Sequence, residues 1–134
     1  LKNGILTLLL IFLMSNSFGQ TKAKVYLNHD HNYSTTYSYE VSEITIHSDS
    51  SYTLKSWNLI NKKEWKKYKS NEPEISSGKI TQNAEFLTLT EYRNENRTDS
   101  NWKIKVTDKR LVFYSKNKNG KLRKTKTYKR IGIK

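Results

Sequence analysis

Apolar and polar residues alternate in short runs along most of the chain. In "SEITIHSDSSYTLKSW", residues 42–57, Ile44 and Ile46 alternate with polar neighbours, an acidic serine-rich corner follows, and Tyr52 and Leu54 resume the pattern. Period two marks a half-buried strand, so the stretch predicts a hairpin. The same reading applies on both sides of it. "AKVYLN" (23–28) predicts a first strand, and "YEVSEITIHS" (39–48) and "SYTLKSWNLI" (51–60) predict the two arms of the hairpin. Residues 77–93 predict a strand, a turn at Gln82-Asn83 and a second strand through Leu87 and Leu89. "NWKIKVTD" (101–108) puts Trp102, Ile104 and Val106 on one face, "RLVFYSK" (110–116) reads as a buried strand, and "KLRKTKTYKRIGI" (121–133) as a last, very basic one. Two segments are less regular. Residues 28–40 are polar and tyrosine-rich, which suits an arm or a lead-in strand. "KKEWKKYKS" (62–70) spaces Trp65 and Tyr68 three apart, which suits a helical turn, a loop or a strand continuation, until Pro73 breaks it.

Short strands with polar turns between them predict an all-β fold. A small antiparallel meander closed into a barrel is the economical form, because closure removes the edge strands that invite aggregation.

The first twenty residues stand apart. Lys2, the apolar run from Ile5 to Met14 and the small, polar end "SNSFGQ" follow the order of a secretory signal peptide. The run is short of the roughly 20 apolar residues that a spanning helix needs. The expectation is a signal-peptide helix over 1–20 with cleavage after Gly19 or Gln20, an arm or first strand over 21–41, and a barrel over 42–134. Export to the periplasm or the medium follows, with no stable membrane insertion after cleavage. The chain has no cysteine, so neither a lipid-bearing cysteine nor a disulfide is available, and one hydrophobic core must hold the fold. With 25 Lys and Arg against 12 Asp and Glu, its net charge is +13, which favours anionic surfaces.

Several of these stretches together resemble the small lipocalin-like β-barrel domains of exported Bacteroidetes-type proteins. They are "SDSSYTLKSW", "SGKITQNAEFLTLTEY", "WKIKVTDKRLVFY" and "NGKLRKTKTYKRI", in order over about residues 42–131. The resemblance implies a barrel that binds a small apolar molecule or serves as an interaction module, and it carries no catalytic motif.

The chemistry-bearing residues narrow this further. No serine sits in a nucleophile elbow and no glycine-rich phosphate loop occurs. The paired carboxylates are sparse, Glu72 with Glu74 and Glu40 with Glu43. An enzyme is therefore not expected, nor a cofactor. In "HDH" (29–31), His29 and His31 would share one face of a strand and could hold zinc or copper with Asp30 or His47; the competing reading is a solvated polar turn, and no metal site is assigned. Aromatics interleaved with cations in "WKKYK" (65–69) and "KLRKTKTYKR" (121–130) can lie along a polyanion while an aromatic stacks, or they form a lysine-rich solvated surface. Lysine outnumbers arginine, so nucleic acid is not the expected partner. In the last strand Leu122, Lys124, Lys126, Tyr128 and Arg130 share a parity. Either a bulge shifts the register or the barrel opens there onto an anionic ligand. Trp102 reads as core, and Trp57 as facing the other side or lying at a barrel mouth.

The leading expectation is a monomeric, non-catalytic, lipocalin-like module for a small apolar ligand. Its candidate ligand-binding residues are Trp57, Trp65, Tyr68, Lys124, Lys126 and Tyr128. The alternative is a basic protein that docks on lipopolysaccharide or acidic glycan, and a further one is metal binding through His29 and His31.

Overall fold

The computed structural model describes residues 22–132, so the leader expected over 1–20 lies outside the described residues. Eight antiparallel strands follow one another around a closed barrel in chain order. They are β1 (Lys24–Asn32), β2 (Ser38–Ile46), β3 (Ser51–Leu59), β4 (Glu74–Asn83), β5 (Phe86–Arg93), β6 (Asn96–Val106), β7 (Arg110–Lys116) and β8 (Leu122–Ile131). The wall thus takes in segment 24–41 as well as the later strands. A 3-10 segment, Lys62–Ser70, lies between β3 and β4. This is an eight-stranded barrel of the form that a lipocalin-like domain has.

Neighbouring strands meet through short turns, with β3 and β4 alone joined by the 3-10 segment. Ser50 takes φ 62 in the β2–β3 turn, where Asp49 accepts hydrogen bonds from the Ser51 N–H (3.1 Å) and hydroxyl (2.5 Å). Asn94 and Glu95, at φ 51 and 68, form the two-residue β5–β6 turn, the left-handed pair that matches strand twist. The β4–β5 turn falls at Ala84-Glu85, because the ladder runs on to the pair Asn83–Phe86. Gln82 and Asn83, expected as the turn, extend β4.

Closure is made by β1 and β8, which share three rungs, Val25–Ile131, Tyr26–Arg130 and Leu27–Lys129. Side chains lengthen this seam at both ends. On the mouth side the Asn28 amide donates to the Thr127 carbonyl at 3.0 Å. At the other end Asp108 in the β6–β7 turn accepts from Arg130 at 3.0 Å and Lys24 at 3.4 Å, and the Tyr26 hydroxyl donates to the Thr107 carbonyl at 2.8 Å. Lys24 and Arg130 hold the Asp108 carboxyl below the usual carboxylate range.

Alternation sorts the apolar residues into two clusters. Inside, Tyr26, Ile44, Tyr52, Leu89, Ile104, Leu111 and Tyr128 fill the end of the barrel farther from the mouth. Outside, Tyr39 and Val41 of β2 and Trp57 and Leu59 of β3 form a second patch, which Tyr68 of the 3-10 segment covers. Trp57 donates its indole N–H to the Asn71 carbonyl at 2.9 Å and meets Tyr68 edge-on. The Tyr68 hydroxyl bonds to the Glu43 carboxylate. Trp65 stacks on His29 with ring centroids 3.9 Å apart. The 3-10 segment is thus fastened by its two aromatics; Lys62, Lys63, Lys66 and Lys67 point to solvent, and Lys69 reaches back to the Glu43 carboxylate at 3.7 Å.

Gly78 sits where β3, β4 and β5 press closest. A Cβ there would lie 1.9 Å from the Thr90 carbonyl oxygen and 2.9 Å from the Tyr52 ring. Backbone cannot withdraw from such a clash, so Gly78→Ala is expected to cost about 3 kcal/mol or more in urea unfolding. Burial also sets an alkaline limit. It raises Tyr26, Tyr39, Tyr68 and Tyr128 above the ordinary tyrosine value and pushes Tyr52 up to about 12. The folded chain keeps these protons to higher pH than the unfolded chain, whose tyrosines ionise near 10. Stability is therefore full below about pH 10 and falls as pH climbs toward 12. Circular dichroism and tyrosinate absorbance followed together should show the buried tyrosines ionising in step with unfolding, not before it.

Candidate functional site

The inner wall changes character along the barrel axis. Beyond the packed inner cluster the inward positions become polar: Ser42 and Glu40 on β2, Ser56 and Asn58 on β3, Glu74 on β4 and Lys126 on β8. The register fixes this, because Glu40 pairs with Asn58 and Ser56 with Glu74 across adjacent strands. Small and charged residues leave space that the aromatics farther down do not, and a half-open cup of about 480 Å³ results. Seven of the eight strands contribute to its lining. Its apolar wall is Tyr52, Leu54, Leu89, Phe113 and Trp102. Trp102 lies on the inner face as its parity requires, but it remains 38% exposed. It lines the open part of the cup and is not sealed in the core.

The last strand resolves its parity conflict with a bulge. Lys126 stands opposite Phe113, yet Lys124 stands opposite Tyr114, the next residue of β7. Thr125 is the extra residue, and its hydroxyl donates to the Phe113 carbonyl at 3.3 Å. Lys126 therefore lines the cup, whereas Lys124 belongs to the outer, exposed side with Leu122 beyond it. The inward lysine has a partner: its ammonium lies 3.2 Å from the Glu40 carboxylate, which also accepts from the Asn32 amide at 3.2 Å. Tyr128 closes the inner side of this arrangement by sharing a hydrogen bond with Ser42 at 2.8 Å.

Of the six residues singled out from the sequence, Lys126 and Tyr128 line the cup. Trp57, Trp65 and Tyr68 lie together on the outer face, where they anchor the 3-10 segment, and Lys124 is outside and apart from both groups. Glu40, Glu74 and Trp102 are the cup residues that the sequence reading did not bring together. Only the inner-face parity of β2, β4 and β6 links them, and β4 is too polar for that parity to show.

A second cleft, of about 730 Å³, lies outside the barrel between the end of β3 and the 3-10 segment. Its lining is largely exposed polar and lysine side chains, with the exposed Ile60 at its edge. It lacks the converging walls of the cup.

His29 and His31 share the outer face of β1, but each is engaged with a different tyrosine. His29 Nδ1 is 2.7 Å from the Tyr39 hydroxyl and His31 Nδ1 is 3.0 Å from the Tyr37 hydroxyl. Burial, reinforced by Lys62, lowers the His29 pKa below its usual value. Asp30 turns to the opposite side of the strand. His47 belongs to the turn at the other end of β2, where its Nε2 meets the Thr53 hydroxyl at 2.9 Å. Among the described residues no group of three or more His, Cys, Asp or Glu is placed to hold a metal ion. Among them, too, no helix is long and apolar enough to cross a membrane. No protein-family model, no curated protein and no solved structure matches the chain.

Proposed function

We propose that the protein is a non-catalytic binding module that holds one small, largely apolar molecule in the cup of its barrel. The observation that carries this is the cup of about 480 Å³, with Leu54, Leu89, Phe113 and Trp102 on its wall and charged groups toward its opening. Ligand pockets have this composition: apolar walls and a few placed polar groups. The volume lies within the usual range for small-molecule sites, about 300–1,000 Å³. An aromatic left partly exposed on a concave inner face is also a surface that a guest would cover.

A second reading, docking on anionic polymers of an envelope, is favoured by the 3-10 segment. Four of its five lysines, Lys62, Lys63, Lys66 and Lys67, face outward on one short stretch while its aromatics are turned to the barrel. These four cations are then offered without Trp65 or Tyr68 as stacking partners, so attraction would be electrostatic and sensitive to salt.

The cup reading is tested by plugging it. Ser56 is a small residue on its wall, and Ser56→Phe should fill the space without touching the packed end. One-to-one binding of 1-octanol, followed by calorimetry, is expected for the native chain and should be lost in the plugged variant at unchanged melting temperature. Equal binding by both would sink the reading. For the second reading, retention on heparin should vanish between low and moderate salt and fall further when Lys62, Lys63, Lys66 and Lys67 are changed to Gln. A protein that passes through heparin at low salt does not dock in this way.

A further inference from the structure

The charges of the cup are opposite in sign to those of the molecule. The chain carries net +13, yet the lining of the cup holds two carboxylates, Glu40 and Glu74, and one ammonium, Lys126. Lys126 is already committed to Glu40 at 3.2 Å. Glu74 makes no ion pair among the described residues, and it stands on β4, four strands from Lys126 around the eight-stranded ring. Nearby Glu91 is paired with Arg93 at 3.2 Å and leaves no excess of its own. The uncompensated charge in the cup is therefore a single negative one.

A second feature lies in the same wall: Trp102, which is 38% exposed on the concave inner face. An indole face that is apolar and electron-rich attracts a cation as well as a hydrocarbon.

From these observations we infer that the ligand is a cationic amphiphile, an alkyl or aryl amine. Its ammonium is drawn to Glu74 and Trp102, its N–H groups can donate to the carboxylate, and its apolar body covers Leu54, Leu89 and Phe113. Among the described residues the one cation of the cup, Lys126, is already paired with Glu40, so an anionic amphiphile finds no free cation there. The overall positive charge does not reverse this preference, since exposed charges farther than about 8 Å are largely screened at physiological salt.

The inference rests on the cup being the binding site, and three eight-carbon probes separate the two claims. 1-Octylammonium, 1-octanol and octanoate share one apolar tail and differ in charge. Calorimetry at physiological salt, with the Trp102 indole N–H signal followed by NMR, should show octylammonium binding about tenfold tighter than octanol, and octanoate weakest. Glu74→Gln should bring octylammonium down to the level that octanol reaches on the same variant. If octanol enters the cup but octylammonium is no tighter, or octanoate is tightest, or the variant keeps the preference, the cationic class is wrong and the cup remains a binding site. If none of the three binds, both claims fall.

Discussion

The barrel depends on a seam of three rungs. Every other pair of neighbouring strands is joined by a longer ladder, but β1 and β8 are brought together across the whole length of the chain by Val25, Tyr26 and Leu27 alone. Without that seam the sheet would have two open edges and no interior. The contacts around it show how so short a ladder suffices. Tyr26 is wholly buried and reaches the β6–β7 turn, while Arg130 and Lys24 converge on Asp108 beneath it. Toward the mouth Asn28 takes over where the ladder stops, and the Lys126–Glu40 pair bridges β8 to β2 past the end of β1's pairing with β8. The same pair that ties the seam thus also lines the cup, so closure and the polarity of the mouth are one arrangement.

The strands serve two cores at once. On β2, Ile44 points in while Tyr39 and Val41 point out, and on β3 Tyr52 points in while Trp57 and Leu59 point out. A barrel strand usually exposes its outer face to water, and a patch of this size left bare would be a site of association. The 3-10 segment covers it, which explains why the one long connection of the meander lies beside these two strands. Trp65 and Tyr68 lie on either side of a break at Lys67, whose φ −109 and ψ 22 are not helical, so the segment is two short turns that each send one aromatic to the barrel. Lys66 and Lys67 between them are exposed.

The fold was legible because period two survives in most strands. Ile44 and Ile46, Tyr52 and Leu54, and Trp102, Ile104 and Val106 all keep the parity that the sequence shows. Where reading and structure part, the cause is local. The β4–β5 turn was displaced because Ala84, a residue with no preference for φ 56, occupies the position where glycine or asparagine would have signalled it. The early part of β6, Asn96–Ser100, is so polar that no alternation is visible. The cup was harder to see than the barrel. Aromatics stand among lysines at 65–69, yet docking of the 3-10 segment on the outer wall, a tertiary fact, keeps Trp65 and Tyr68 out of the interior. Glu40 and Glu74 share the cup only through the register that sets each of them beside β3. Trp102 was correctly placed on the inner face, but parity says nothing of depth along the axis.

The bulge at Thr125 has a consequence for how such an interior can diversify. In a regular ladder each strand lends alternate residues to the lumen, so the lining is rationed by the pleat. Here two residues adjacent in the chain, Thr125 and Lys126, both reach the cup, and the strand beyond them changes which of its side chains are hidden. Insertion or loss of one residue in a strand is thus a means of rewriting the lumen that leaves the other seven strands in frame. The chemistry of the cup can drift by slippage of a single strand as well as by exchange of side chains.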